Sequence, residues 1–281
     1  MKVAIASGKG GTGKTTVAVN LARAWGVPVQ LLDCDVEEPN AHLFLGGAPG
    51  EEVPVFIKVP SVDEALCDGC GECGRFCEFH AIVVVGKAPL VFPGMCHACG
   101  GCAKVCPRNA IREVDERIGV VETRRAGDVS LILGRLDVGV SMAPPLVHAV
   151  KERIREWSPV NLDAPAGTSC TVVATLRETD FVVLVTEPTP FGLHDLTLAV
   201  DLVRELRLPF GVVVNRVGVG DDRVHAWCLK EGIEILLEIP DDRRIAEGYA
   251  RGRLLVDALP EYAGLFRSLA DSIQARVGVA A

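Results

Sequence analysis

The first sixteen residues constrain this chain more than any other stretch. Residues 1–7, MKVAIAS, read as a buried strand that runs directly into Gly8-Lys9-Gly10-Gly11-Thr12-Gly13-Lys14-Thr15-Thr16. A strand, a glycine-rich turn and a Lys-Thr pair opening a helix form the phosphate-loop pattern G-x-x-x-x-G-K-[ST] in the setting it requires. The glycines let backbone N–H groups curl around phosphate oxygens, Lys14 brings positive charge to the outer phosphates, and the Thr15 hydroxyl is placed for Mg²⁺. The following helix turns its positive end toward the same anion.

The rest of the chain continues the alternation of strand and helix that this start implies. Residues 14–25 read as a helix ended by Gly26. Residues 28–33 form an apolar strand that delivers Asp33 and Asp35 at its carboxyl end, where open parallel sheets bind their ligands. Paired carboxylates there suit Mg²⁺ and water handling. Residues 144–157 read as a helix with Pro144 near its start. Residues 160–163 read as a strand ending in Asp163, and Gly167 lies in the loop that follows. A carboxylate on a strand end, then a glycine loop and a helix, suits the Mg²⁺ shell. Further strands are expected at residues 181–186, 210–215 and 233–239, with helices ending near Leu206, spanning residues 241–251 and starting from Pro260. The fold class expected is α/β: a mostly parallel sheet covered by helices on both faces.

The cysteines break this pattern. Of 11 in the chain, eight fall between Cys67 and Cys106, in two runs of matching spacing. The first is Cys67-x2-Cys70-x2-Cys73-x3-Cys77, and the second is Cys96-x2-Cys99-x2-Cys102-x3-Cys106-Pro107. This is the bacterial ferredoxin run, in which three thiolates of one loop and the fourth of the other share a 4Fe–4S cluster. Cys67, Cys70, Cys73 and Cys106 are therefore expected at one cluster, and Cys96, Cys99, Cys102 and Cys77 at the other. Zinc also uses Cys-x2-Cys pairs, but it does not call for the fourth cysteine three residues on, repeated twice. Cys77 is followed by Glu78 where the second run has Pro107. Hairpins are expected at residues 81–92, around Gly86-Lys87, and at residues 110–122. The chain thus divides into residues 1–59, an inserted α+β unit at 60–122 resembling a ferredoxin, and residues 123–281.

Composition closes off other classes. The net charge of −8 argues against a general nucleic-acid binder, whose affinity comes from Lys and Arg. Hydrophobic content of 49% and no apolar run near the length of a bilayer span argue against a membrane protein. A strand beginning at the first residues leaves no signal peptide, and abundant thiols outside a disulfide framework fit a cytoplasmic setting.

With both motif sets in view, the chain resembles the deviant Walker A ATPases, the group of ParA, MinD and nitrogenase iron protein. Within that group it is similar to the MinD/Mrp branch with an inserted ferredoxin unit. The resemblance implies ATP/ADP and Mg²⁺ as ligands and a homodimer or heterodimer in which Lys9 reaches the partner's nucleotide. It also implies Asp35 at the attacking water, Asp33 in the outer Mg²⁺ shell, Asn215 at the adenine edge, and the loop at Pro240 over the base. Nitrogenase iron protein carries a cluster ligand near the position of Cys170. Here Cys170 reads as a buried small apolar residue, with a bridging role as the alternative. Three functions compete: gated electron transfer to a redox partner, cluster or metallocofactor assembly with a partner protein, and MinD-like positioning. The short, weakly basic C-terminal segment, residues 268–281, disfavours the last.

Overall fold

The computed structural model describes residues 1–155 and 158–280. In chain order the elements are β1 (Lys2–Ser7), α1 (Lys14–Ala24), β2 (Val29–Asp33), α2 (Ala41–Leu45), β3 (Pro49–Val62), α3 (Glu72–Phe76), β4 (Ile82–Val85), β5 (Ala88–Val91), α4 (Gly101–Lys104), β6 (Ile111–Ala126) and β7 (Val129–Leu136). The second half adds α5 (Pro144–Lys151), β8 (Val160–Ala166), α6 (Cys170–Leu176), β9 (Phe181–Thr186), α7 (Pro190–Glu205), β10 (Phe210–Val217), α8 (Arg223–Lys230), β11 (Ile235–Pro240), α9 (Arg243–Ala250), α10 (Leu255–Ala258) and α11 (Glu261–Ala280). The expected helix over 144–157 stops at Lys151, and Glu156 and Trp157 lie outside the described residues.

Nine strands form one sheet in the order β11-β10-β9-β1-β8-β2-β7-β6-β3. From β11 to β7 every neighbouring pair is parallel, and β6 and β3 close the edge antiparallel. Side chains of a strand alternate between faces, and the two cores follow that alternation. Ala4, Val182 and Leu184 pack on one face with Leu146, Val172 and Val200 from α5, α6 and α7. Val3, Ile5 and Val183 pack on the other with Leu21 of α1 and Phe266 of α11. The expected mostly parallel α/β sheet, covered on both faces, is what the chain forms.

At the sheet edge one strand is added and one expectation is corrected. Residues 129–136 form a strand, β7, that the sequence reading passed over. No second hairpin forms at 110–122, because residues 111–126 are a single 16-residue strand. Its first half pairs only with β3, out to Val62 opposite Ile111. Its second half pairs with β7 as well, from Gly119 to Ala126. Ile118 is the extra residue in a bulge opposite the Val55/Phe56 step, and bulges bend a ribbon at such points. The Asp137 N–H donates to the Ile118 carbonyl (2.9 Å) and anchors the bend to the sheet. The β3–β6 ribbon passes through residues 60 and 122 without a break, and residues 63–110 hang from its end.

Those residues fold as two similar halves. Gly71 and Gly100, both left-handed, open α3 and α4. His80 and Asn109 take φ of 51° and 50°, each three residues after the last cysteine of its run. Each donates its N–H to the carbonyl of that cysteine, Cys77 or Cys106, at 3.1 and 3.2 Å. Glu78 in place of a proline leaves the turn unchanged. The first hairpin, β4 with β5, forms as expected.

Candidate functional site

The phosphate loop joins the carboxyl end of β1 to α1, in the middle of the sheet. Gly13 sits at φ 97° just before the helix, and a Cβ there would come within 2.4 Å of the Asn215 side-chain nitrogen. Glycine is required on both counts. Lys14 is buried at 8% exposure, unusual for lysine outside a paired or ligand-binding site. A cavity of about 480 Å³ opens over the loop. Gly10, Gly11, Gly13, Lys14, Thr15 and Thr16 line its floor, and its walls come from the ends of β10 and β11, from α9, and from the loop after β2. With Ala166 at the end of β8, five strand ends converge on one cleft, as a doubly wound sheet prescribes.

Three acidic residues stand beside it, in different states. Asp163, on β8, is 1% exposed, and neither carboxylate oxygen has a hydrogen-bond partner. Burial pushes its pKa well above the usual carboxylate range, and the charge of Asp33 adds to this, while the nearby Thr15 hydroxyl and Lys14 ammonium pull it down. A buried, unpartnered carboxylate beside a phosphate loop is costly unless a cation joins it. The donor set therefore fits Mg²⁺. Asp33 differs, because its oxygens accept N–H bonds from Asp35 (3.2 Å), Asn40 (2.9 Å) and Ala41 (3.0 Å). Its immediate work is to hold the 34–41 loop in shape. Asp35 is half-buried and faces the cavity. Burial raises its pKa, and the Lys14 charge opposes the rise.

The remaining nucleotide-site residues divide. Pro240 and Asn215 line the cavity. The Asn215 side-chain amide donates to the Thr12 carbonyl (2.8 Å), so it ties β10 to the phosphate loop. Lys9 does not point free: its ammonium is paired with Glu187 of the same chain, at the end of β9. Glu187 and Arg216 escaped the sequence reading. The usable signal was position alone, since Glu187 directly follows a parallel strand, much as Asp33 ends one; Asp163 lies inside β8, which runs on to Ala166, three residues past its expected end. Cys170 is exposed at the start of α6, which corrects its reading as a buried apolar residue.

The eight clustered thiols separate into two sets. Cys67, Cys70, Cys73 and Cys106 line one small cavity. Cys77, Cys96, Cys99 and Cys102 line another, of about 350 Å³. Burial raises the Cys73 thiol pKa, and Cys106 and Cys67 add to the rise; Cys96 is raised by burial and then by Cys99 and Cys77. Among the described residues no three His, Cys, Asp or Glu side chains converge as a single metal ion needs. The thiols surround two volumes rather than meeting at two points. The second cavity abuts the sheet core, with Cys96 and Ala81 buried in it, whereas Cys73 packs with Ile82 and Ile111 in a separate small cluster.

A phosphate loop, a buried Mg²⁺-ready carboxylate and a cleft at converging parallel strand ends define a P-loop ATPase. The chain belongs to the CobQ/CobB/MinD/ParA nucleotide-binding family, whose model matches residues 3–256. It is 33% identical over 260 residues, 90% of each chain, to an uncharacterised protein of Methanocaldococcus jannaschii. An iron–sulfur cluster carrier protein of Pyrococcus horikoshii is 25% identical over 88% of this chain and 76% of its own length. Among solved structures, the septum site-determining protein MinD of Pyrococcus horikoshii with Mg-ADP superposes with a TM-score of 0.61. That match has 23% identity over 100% of this chain and 98% of the other. No helix among the described residues is long and apolar enough to cross a membrane.

Proposed function

We propose that this ATPase couples its nucleotide state to a ferredoxin-like unit at residues 60–122, and that its output is gated electron transfer to a partner protein. The observation that carries the reading is the division of eight thiols into two four-thiol cavities, with Cys77 and Cys106 exchanged between the runs. The donor chemistry fits two 4Fe–4S clusters, held by Cys67, Cys70, Cys73 and Cys106 and by Cys77, Cys96, Cys99 and Cys102. Such clusters supply one-electron transfer when bound.

At the nucleotide, hydrolysis is positioning and charge neutralisation of a phosphoryl group. Lys14 and the loop N–H groups hold the phosphates, Thr15 and Asp163 hold Mg²⁺ with Asp33 behind them, and Asp35 orients the attacking water. Asn215 and Pro240 sit at the base. Two protomers, of this chain or a related one, close with Lys9 at the partner's nucleotide. The Val36 carbonyl, next to Asp35, accepts from Leu136 N–H (2.8 Å). The Ser141 hydroxyl, beyond β7, donates to the Gly94 carbonyl (2.7 Å), two residues before Cys96. These contacts support a short mechanical path from the loop after β2 to the second thiol cavity. A cytoplasmic setting accords with so many reduced thiols.

A second reading, cluster carriage, is favoured by exposed Cys170 and by relatives named iron–sulfur cluster carrier proteins. Iron analysis of the anaerobically purified full chain separates the two. The redox reading expects about eight tightly held irons per chain. A chain with zinc or no iron overturns it, and further labile iron lost in Cys170→Ala favours carriage.

A further inference from the structure

Two cations beside the nucleotide cleft share one carboxylate. Glu187 follows β9 and pairs with the Lys9 ammonium through one oxygen. The Thr189 hydroxyl lies 3.4 Å from that same oxygen. The other oxygen lies 3.5 Å from the guanidinium of Arg216, which itself lines the cleft. The Glu187 side chain is 12% exposed, against 29% for Lys9 and 53% for Arg216. The carboxylate is therefore the sheltered member of the group, and the cations are the exposed ones.

The backbone that carries it is held in place. The Thr189 N–H donates to the Glu187 carbonyl (2.8 Å), and the Thr189 hydroxyl caps α7 by accepting from Gly192 N–H (3.0 Å). Gly192 packs so closely that a Cβ would come within 2.2 Å of the Glu187 carbonyl oxygen. Glu187 thus stands on a rigid helix start, whereas Lys9 belongs to a loop built to meet phosphate.

We infer that Glu187 is an internal anion that competes with nucleotide phosphate for Lys9. It parks the lysine against its own chain until phosphate draws it away, and it acts as a positioning residue that sets the nucleotide level at which protomers associate. Arg216 makes the exchange reversible at low cost: when Lys9 departs, Glu187 keeps a cation within reach and is not left as an unpaired buried charge. The ion pair disfavours closure in each protomer, so in a symmetric dimer its effect counts twice. The inference rests on the proposed role of Lys9 at a dimer interface.

Sedimentation velocity of the full chain, titrated with the non-hydrolysable analogue AMP-PNP in Mg²⁺, tests it. Removing this partly buried pair lowers the analogue concentration at half-dimerisation by at least about threefold in Glu187→Gln. Glu187→Ala moves in the same direction, so the test does not hang on one variant folding. Glu187→Asp keeps the charge on a shorter arm and moves less. Midpoints for Glu187→Gln and Glu187→Ala at or above wild type overturn the inference, as does a Glu187→Asp shift equal to that of the amide. Lys9→Ala run alongside separates the two ideas. Dimerisation of that variant at the wild-type midpoint sinks the interface role of Lys9. Its failure to dimerise, beside an unmoved Glu187→Gln, overturns the competition alone.

Discussion

At the scale of single residues, Asp163 and Asp33 show how one acidic type is used in two ways. Asp33 is satisfied by three backbone N–H groups. Asp163 is left without a partner in a buried position. Such a group costs stability in the nucleotide-free chain and regains it when a cation arrives. Asp163→Asn removes the ionisable carboxyl and keeps the shape. The nucleotide-free variant is expected to gain about 1–3 kcal/mol, seen as a Tm rise of a few degrees for a chain of this size. Its Mg-ATP hydrolysis falls by at least about a hundredfold. Thermal melts with and without Mg-ATP check both halves, and a variant that melts lower yet hydrolyses normally refutes the account. The sequence marked Asp163 plainly, because a strand-end carboxylate before a glycine loop has few other uses. It gave no hint of Glu187, whose partners Lys9 and Arg216 lie 178 and 29 residues away and meet only in the folded sheet.

Among the elements, the central parallel strands were legible because they are buried on both faces and read as unbroken apolar runs. The β3–β6 ribbon was not. Arg112, Glu113, Asp115, Glu116 and Arg117 give the outer half of β6 no apolar side, so nothing in the pattern told a long strand from a hairpin broken near its middle. Cross-strand charge, such as Lys58 with Asp115 at 2.8 Å, stands in for an apolar face there. The strand β7 was passed over because its neighbour, the turn at Gly127-Asp128, carries no chemistry that draws notice. Where the ribbon bends, sterics take over. A Cβ at Gly119 would come within 2.4 Å of the Arg135 carbonyl oxygen and 2.9 Å of the Leu146 side chain. Gly119→Ala is therefore expected to cost about 1–3 kcal/mol by overpacking. Urea unfolding should show a lower midpoint with the slope unchanged, and an unmoved midpoint means the ribbon yields at this bend.

For the whole molecule, the two thiol cavities are unequal, and the asymmetry follows from how the insert is hung. The cavity of Cys77, Cys96, Cys99 and Cys102 shares buried side chains with the sheet core, and Ser141 is bonded to Gly94 beside it. The cavity of Cys67, Cys70, Cys73 and Cys106 packs instead on the small cluster of Ile82 and Ile111, which Cys77 and Cys102 also touch, and none of its four thiols joins the sheet core. Loss of a thiol from the first-run cavity is then a local event, whereas loss of one from the cavity on the core disturbs a wall of the ATPase sheet. Cys67→Ser should bleach part of the visible absorbance and leave nucleotide affinity and the main unfolding transition within error of wild type. Cys96→Ser replaces a buried sulfur that packs on the core, and it should bleach a similar share while lowering the main transition by about 1–3 kcal/mol. Absorbance, AMP-PNP binding and melting curves on both variants decide the matter. Equal destabilisation by the two would mean that the cavities couple to the sheet alike, through the β3–β6 ribbon rather than through that wall. Colour surviving in both would remove these cysteines from the ligand sets.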